Sequence, residues 1–287
     1  MIRRLVAASL TLTFCAGAAQ AKPPVWVVRD ADSEIVLFGS VHVLPPGLQW
    51  RPAELDAALA KADDLWFELP IDPVSEEKVG QLAAARGMLP EGQSLTSQLS
   101  PEGQKRLEAV ARDLALSPAV LDRLEPWFAE IVLAGAQFRK AGADASSGVE
   151  KQISTSAPPR AQRRAFESPE EQIGIFDATP RSEQIASLEQ TLRELQEDPD
   201  AYDQLVAHWM TADLKGLNQD SLEPLKAAAP GLYARLVTER NERWLTALKA
   251  RMAGSGRSVV VVGVGHLVGE DGLPTRLRAL GYSVEGP

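Results

Sequence analysis

Two of the three histidines close the same four-residue pattern, Gly39-Ser40-Val41-His42 and Gly263-Val264-Gly265-His266. Each pattern follows an apolar run rich in β-branched residues, and the two lie near opposite ends of the 287-residue chain. Side chains at strand ends in an α/β sheet project into the crevice where ligands bind. Neutral imidazole is the commonest protein ligand for divalent transition metals. Glu68 ends a third apolar run, "DLWFELP", and sets a carboxylate in hydrophobic surroundings. Two histidines and one carboxylate leave coordination positions open for water, as a catalytic metal requires.

The same residues have plainer readings. A histidine at a strand end serves as an ordinary hydrogen-bonding residue, and Glu68 caps the helix that begins after Pro70. Glu150, in "SSGVEKQ", is an acid favoured by a helix N-terminus. Arg240 and Asn241, in "TERNERW", form one exposed charged face, and His208, in "YDQLVAHWMTADL", packs within a helical part. Spacing alone leaves these alternatives open.

Placing both histidines on one rim requires a sheet to which both chain ends contribute. "VWVVRDADSEIVLFGSVHVLP" predicts a β-hairpin turning at Asp30–Ser33. "RPAELDAALAKAD" predicts a helix starting at Pro52, and "DLWFELP" a short strand stopped by Pro70. Residues 72–142 read as a helical insertion. Within it, Ser100 caps a helix whose buried stripe is Leu107, Val110, Ala111 and Leu114. "RRAFESPEEQIGIF" reads as a brief strand, then a helix with Ser168 at the N-cap, Pro169 at N1 and Glu171 at N3. Further helices fill 180–253. The chain closes with a fully buried strand, "RSVVVVGVGHLVG", then a helix and a short edge strand in "GLPTRLRALGYSVE". The expected class is α/β: a mixed sheet built from both chain ends, with a large helical insertion. Gly39 and Gly263 permit close backbone approach beside the strand ends, and Gly265 frees the turn before His266.

"MIRRLVAASLTLTFCAGAAQA" has Arg3 and Arg4, an apolar stretch Leu5–Phe14, and small residues ending at Ala21. That order predicts a secretory signal over 1–21, cut after Ala21, and a periplasmic or secreted protein with one domain over 22–287. Bulky Phe14 before Cys15 argues against a lipoprotein signal. Cys15 is the only cysteine, so the mature chain has no disulfide and no thiol nucleophile. Cleavage removes two arginines from a chain of net charge −9, which disfavours nucleic acid and anionic membranes as partners. No later segment approaches about 18 uninterrupted apolar residues, so no stable membrane insertion is expected after cleavage. Oligomeric state stays open.

The segments "VWVVRDADSEIVLFGSVHVLP", "DLWFELP", "GVEKQI", "AFESPEEQIGIF", "HWMTADL", "ERNERW" and "VVVVGVGHLVGEDGLPTRLRALGYSVE" occur in that order. In this the chain resembles the TraB/PrgY/GumN family, which includes GumN-like bacterial proteins and the animal Tiki proteases. The resemblance implies a fold similar to erythromycin esterase and the haem-binding ChaN proteins, and metal-dependent peptide hydrolysis as in the Tiki branch. It makes His42 and His266 the two family histidines, Glu68 the acid after a strand, and Arg240-Asn241 the family's RN pair. Glu150 fills the acid position of a Gly-hydrophobic-acid motif.

The expectation is therefore an exported hydrolase, peptidase-like, dependent on a divalent Mn, Co or Zn ion. His42, His266, Glu68 and Glu150 are its candidate ligands. A metal-bound water there would have its pKa lowered towards ~7. Glu68 serves either as ligand or as general base; Arg240 would stabilise an oxyanion, and Asn241 would orient it. The substrate is a peptide or small molecule. The alternative is a non-catalytic binding protein holding haem, a peptide or a small ligand in the same crevice.

Overall fold

The computed structural model describes residues 22–287; the expected signal over 1–21 lies outside the described residues. β1 (Val25–Arg29) and β2 (Ser33–Ser40) form the expected hairpin, with Asp30 Oδ1 accepting from the amides of Asp32 and Ser33 in the turn. β3 (Asp64–Phe67), β4 (Gln162–Ala165), β5 (Gly256–Gly263) and β6 (Ser283–Glu285) complete one six-stranded sheet in the order β4-β3-β5-β2-β1-β6. β4, β3, β5 and β2 run parallel, while β1 is antiparallel to both its neighbours. Both chain ends thus build an α/β mixed sheet, and β2 and β5 lie side by side with Ser40 opposite Gly263.

The continuous "VVVV" of β5 follows from burial on both faces, since a parallel sheet is covered twice. Alternate residues serve opposite layers. Phe38, Phe67, Val259 and Val261 pack with Trp50 and Trp209 on one face. Leu37, Val260 and Val262 pack with Trp26, Trp244 and Leu277 on the other.

The helical insertion forms a third apolar cluster. Ser100 Oγ accepts from the Gly103 amide, and Leu107, Val110 and Ala111 are buried, as expected of helix Pro101–Asp113. Their partners include Leu133 of helix Pro126–Lys140, and also Leu188 and Leu192 of helix Arg181–Glu197. The helical layer therefore recruits a helix from beyond residue 142. A stripe of this kind needs a facing stripe, and sequence order does not say which helix supplies it.

Two π-helical turns, Asn218–Leu222 and Ala234–Thr238, occur in the C-terminal helical stretch. The second runs directly into helix Glu239–Met252. Such turns are frequent near functional sites, and Arg240 lies two residues past this one. Among the described residues, no helix is long and apolar enough to cross a membrane.

Candidate active site

All four parallel strands deliver a residue to one place. His42 lies two residues past β2, Glu68 directly after β3, Glu167 two residues past β4, and His266 three residues past β5. This is the carboxyl-end rim of the sheet, where α/β proteins bind ligands.

His42 is reached from the sheet and from a helix. Helix Val149–Ser156 starts at Gly148, packed so tightly on the strand-end loop that a Cβ there would come within 2.0 Å of the His42 carbonyl oxygen. That contact places Glu150, in the first turn, against His42: Glu150 Oε1 lies 2.7 Å from His42 Nδ1 and also accepts from the Ser40 hydroxyl. An ionised carboxylate only accepts, so Nδ1 carries the hydrogen and Nε2 is left for the pocket. The negative charge of Glu150 raises the His42 pKa, against the opposing effect of burial and helped by the hydrogen bond, to about 9. The His42 side chain is 66% exposed and borders two hollows, so Nε2 is reachable.

Behind His42 lies a closed network centred on Arg240. Its Nε and Nη2 hold the two oxygens of Glu167, each at 2.8 Å, and Nη2 also reaches Glu68 Oε2 at 2.6 Å. Nη1 donates to the Leu236 carbonyl at 3.3 Å and to His266 Nε2 at 3.0 Å. A guanidinium has five N–H donors, and all five are engaged here. Arg240 is 5% exposed and stacks on Trp244, its Cζ 4.6 Å from the ring centre.

Since Arg240 only donates, His266 Nε2 accepts, and His266 Nδ1 donates to Asn241 Oδ1 at 2.8 Å. Asn241 Nδ2 then donates to the carbonyls of His266 and Asp271. Burial, with the positive charge of Arg240 also lowering it, brings His266 down to about 3, so it is neutral. Burial pushes the Glu68 carboxyl up, but Arg240 beside it and the Gly263 amide at 2.7 Å hold it ionised, well below the usual carboxylate range.

The remaining free surfaces meet at Gly263. A Cβ there would lie 3.1 Å from Glu68 Oε1 and 3.5 Å from His42 Nε2. Two hollows flank His42. One, about 280 Å³, carries the charged and polar groups of Glu68, Glu76, Glu150, Lys151 and Gln172 among the apolar side chains of Leu69, Ile71 and Ala145. The other, about 230 Å³, is mostly apolar and includes Phe138, Tyr202, Leu205 and Leu217.

The TraB/PrgY/gumN family profile matches residues 24–286. The chain belongs to the TraB/PrgY/gumN family. It is 27% identical over 259 residues to the uncharacterized protein YbaP of Escherichia coli (strain K12), covering 89% of this chain and 92% of that protein. Against the uncharacterized protein YbaP of Shigella flexneri the identity is 28%, with the same coverage. No solved structure matches.

In this TraB/PrgY/gumN member, the four expected metal ligands differ in what they offer. His42 Nε2 and Glu68 Oε1 face the open site. Glu150 is a partner of His42 Nδ1, and both nitrogens of His266 are bonded to Arg240 and Asn241. Among the described residues, no three His, Cys, Asp or Glu side chains are grouped to hold a metal ion. As arranged, the donor set does not fit a three-ligand ion. Arg240 and Asn241, expected to stabilise and to orient an oxyanion, have every side-chain donor engaged within the protein, on Glu68, Glu167, His266 and backbone carbonyls.

The plainer reading of Arg240 and Asn241 as an exposed face is corrected too, since Asn241 is fully buried. Their spacing to Trp244, Leu245 and Leu248 already marked them as members of the buried stripe. His208 stands apart, between Asp213 at 2.8 Å and Asp220 at 3.0 Å. Glu167 and Ser40 escaped the sequence reading. Glu167 had a signal: Phe67-Glu68-Leu69-Pro70 recurs as Phe166-Glu167-Ser168-Pro169 at the end of the neighbouring parallel strand.

Proposed function

We propose that the chain is an exported hydrolase, peptidase-like, whose proton-transfer group is His42. One observation carries the reading: Glu150 binds His42 Nδ1 at 2.7 Å, which turns a reachable Nε2 towards the ionised Glu68 at an open hollow. A general base needs this orientation by a third group. In its neutral form His42 Nε2 takes a proton from water as the water oxygen bonds to the substrate carbonyl carbon. When the carbon–nitrogen bond breaks, the same proton passes from Nε2 to the leaving amine. Glu68, held ionised by Arg240, orients the water and favours the imidazolium that forms.

A divalent Mn, Co or Zn ion at His42 and Glu68 is the metal-dependent form of the same proposal, and it needs further ligands from water or substrate. The deciding experiment incubates purified protein with a mixed peptide library, with chelator or with each of the three metals, and follows cleavage by mass spectrometry. Cleavage is expected with the native chain and a loss of at least about 10²-fold with His42→Ala. Equal product from native and His42→Ala protein in every metal condition would end the proposal. Dependence on added metal decides between the two forms.

A further inference from the structure

The hollow that holds Glu68 accounts for the water and the scissile bond, but His42 also forms part of a second wall that this chemistry does not use. Ser40, His42 and Gly263 border an adjoining apolar hollow of about 230 Å³. Its other side is built from Phe138, Tyr202, Leu205, Leu217 and Val268. Four different parts of the chain meet there. Phe138 comes from the helical insertion, Tyr202 and Leu205 from helix Ala201–Met210, Leu217 from the turn before the first π-helical segment, and Val268 from the loop after β5.

These side chains are fixed in ways that keep the hollow apolar. The Tyr202 hydroxyl donates to the Val43 carbonyl at 3.0 Å, so its polar tip is bonded and its ring packs 5.1 Å from that of Phe138. Leu217 and Val268 are each 2% exposed. An apolar cavity of about 150 Å³ already takes a benzene ring. This one has room for a phenyl or branched four-carbon group, directly beside the imidazole.

We propose that this hollow is a specificity pocket for a bulky apolar side chain, leucine- or phenylalanine-like, on the substrate residue next to the bond presented to His42. The proposal rests on the hydrolase reading for what lies next door, but the pocket itself binds without turnover. The other hollow carries the Glu76–Lys151 ion pair, Glu68, Glu150 and Gln172, so the polar parts of a substrate find partners there and the bulky apolar side chain finds them here.

The test measures binding and cleavage separately on the full chain. Binding of N-acetyl-leucinamide, N-acetyl-phenylalaninamide and N-acetyl-alaninamide is measured by saturation-transfer NMR titration. Leucine and phenylalanine probes are expected to bind about tenfold or more tighter than alanine, since one methylene in such a pocket is worth about tenfold or more. Leu205→Trp, which fills the hollow from its wall, is expected to bring the preference close to one. Ser221→Trp fills it from an exposed rim position and keeps the comparison valid should Leu205→Trp fail to fold. Equal binding of the three probes, or a preference untouched by Ser221→Trp, overturns the pocket. Cleavage of peptides with no leucine or phenylalanine preference overturns it while leaving the hydrolase reading intact. A pocket preference without any cleavage does the reverse.

Discussion

His42 and His266 stand in one site with opposite charge preferences, because Glu150 raises the first to about 9 while burial and Arg240 lower the second to about 3. Environments that push two titratable groups apart assign them different work. The base form of His42 grows as pH rises, so kcat/KM for a cleaved peptide is expected to climb to a limb near pH 9. Glu150→Gln removes the main cause of the shift. Its limb should move down towards the ordinary imidazole value of about 6.5, with a lower plateau because Nδ1 is less firmly held. A pH–rate profile of the two proteins checks this, and an unmoved limb would show that Glu150 does not set the proton affinity. Arg240 carries a structural load as well. Arg240→Met leaves Glu68 and Glu167 as buried carboxylates without their cation, and a loss of about 3–5 kcal/mol in urea unfolding is expected. An unchanged midpoint would mean that these carboxylates find another partner.

Strand ends and one helix start set the distances within the site. Gly263 ends β5 where Glu68 and His42 converge, and its φ of −48° is open to any residue. Alanine there is therefore compatible with the backbone, but its methyl would stand 3.1 Å from Glu68 Oε1. Gly263→Ala is expected to change stability by about 1 kcal/mol or less while lowering cleavage about 10²-fold, as small displacements of reacting groups do. Parallel thermal melts and peptide assays check the split. Equal loss of stability and activity would place Gly263 in the fold alone. Gly148 is a stricter case: a side chain there meets the backbone of His42, so the helix bearing Glu150 can only approach with glycine in place.

Across the whole molecule, the helical layer has its own response to pH. Glu130 of helix Pro126–Lys140 accepts from Ser187 and Thr191 of helix Arg181–Glu197, each at 2.9 Å. Burial pushes its carboxyl up to about 7, despite these hydrogen bonds. The folded chain then holds this proton more tightly than the unfolded one, so stability falls as pH rises from about 4.3 through 7. Glu130→Gln cannot ionise. It is expected to be more stable than the native protein by about 1–3 kcal/mol at pH 8 and close to it at pH 4, read by urea unfolding. A constant difference at both pH values would mean that Glu130 stays ionised in the helical layer.

The order of residues alone determined much of this arrangement. Alternation and β-branched runs marked the β1–β2 hairpin and β5, and the repeated Gly-x-x-His named the two histidines that end neighbouring strands. Ser168 and Glu171 form the reciprocal cap that their spacing predicted. Such features are local: they depend on period, caps and breakers within a few residues. Which atoms remain free is not local. That Arg240 engages all its donors, that His266 has both nitrogens bonded, and that Glu150 holds His42 depend on side chains brought together from distant segments. The partner helix of the insertion was hidden for the same reason, since any amphipathic stripe can face any other until the chain has folded.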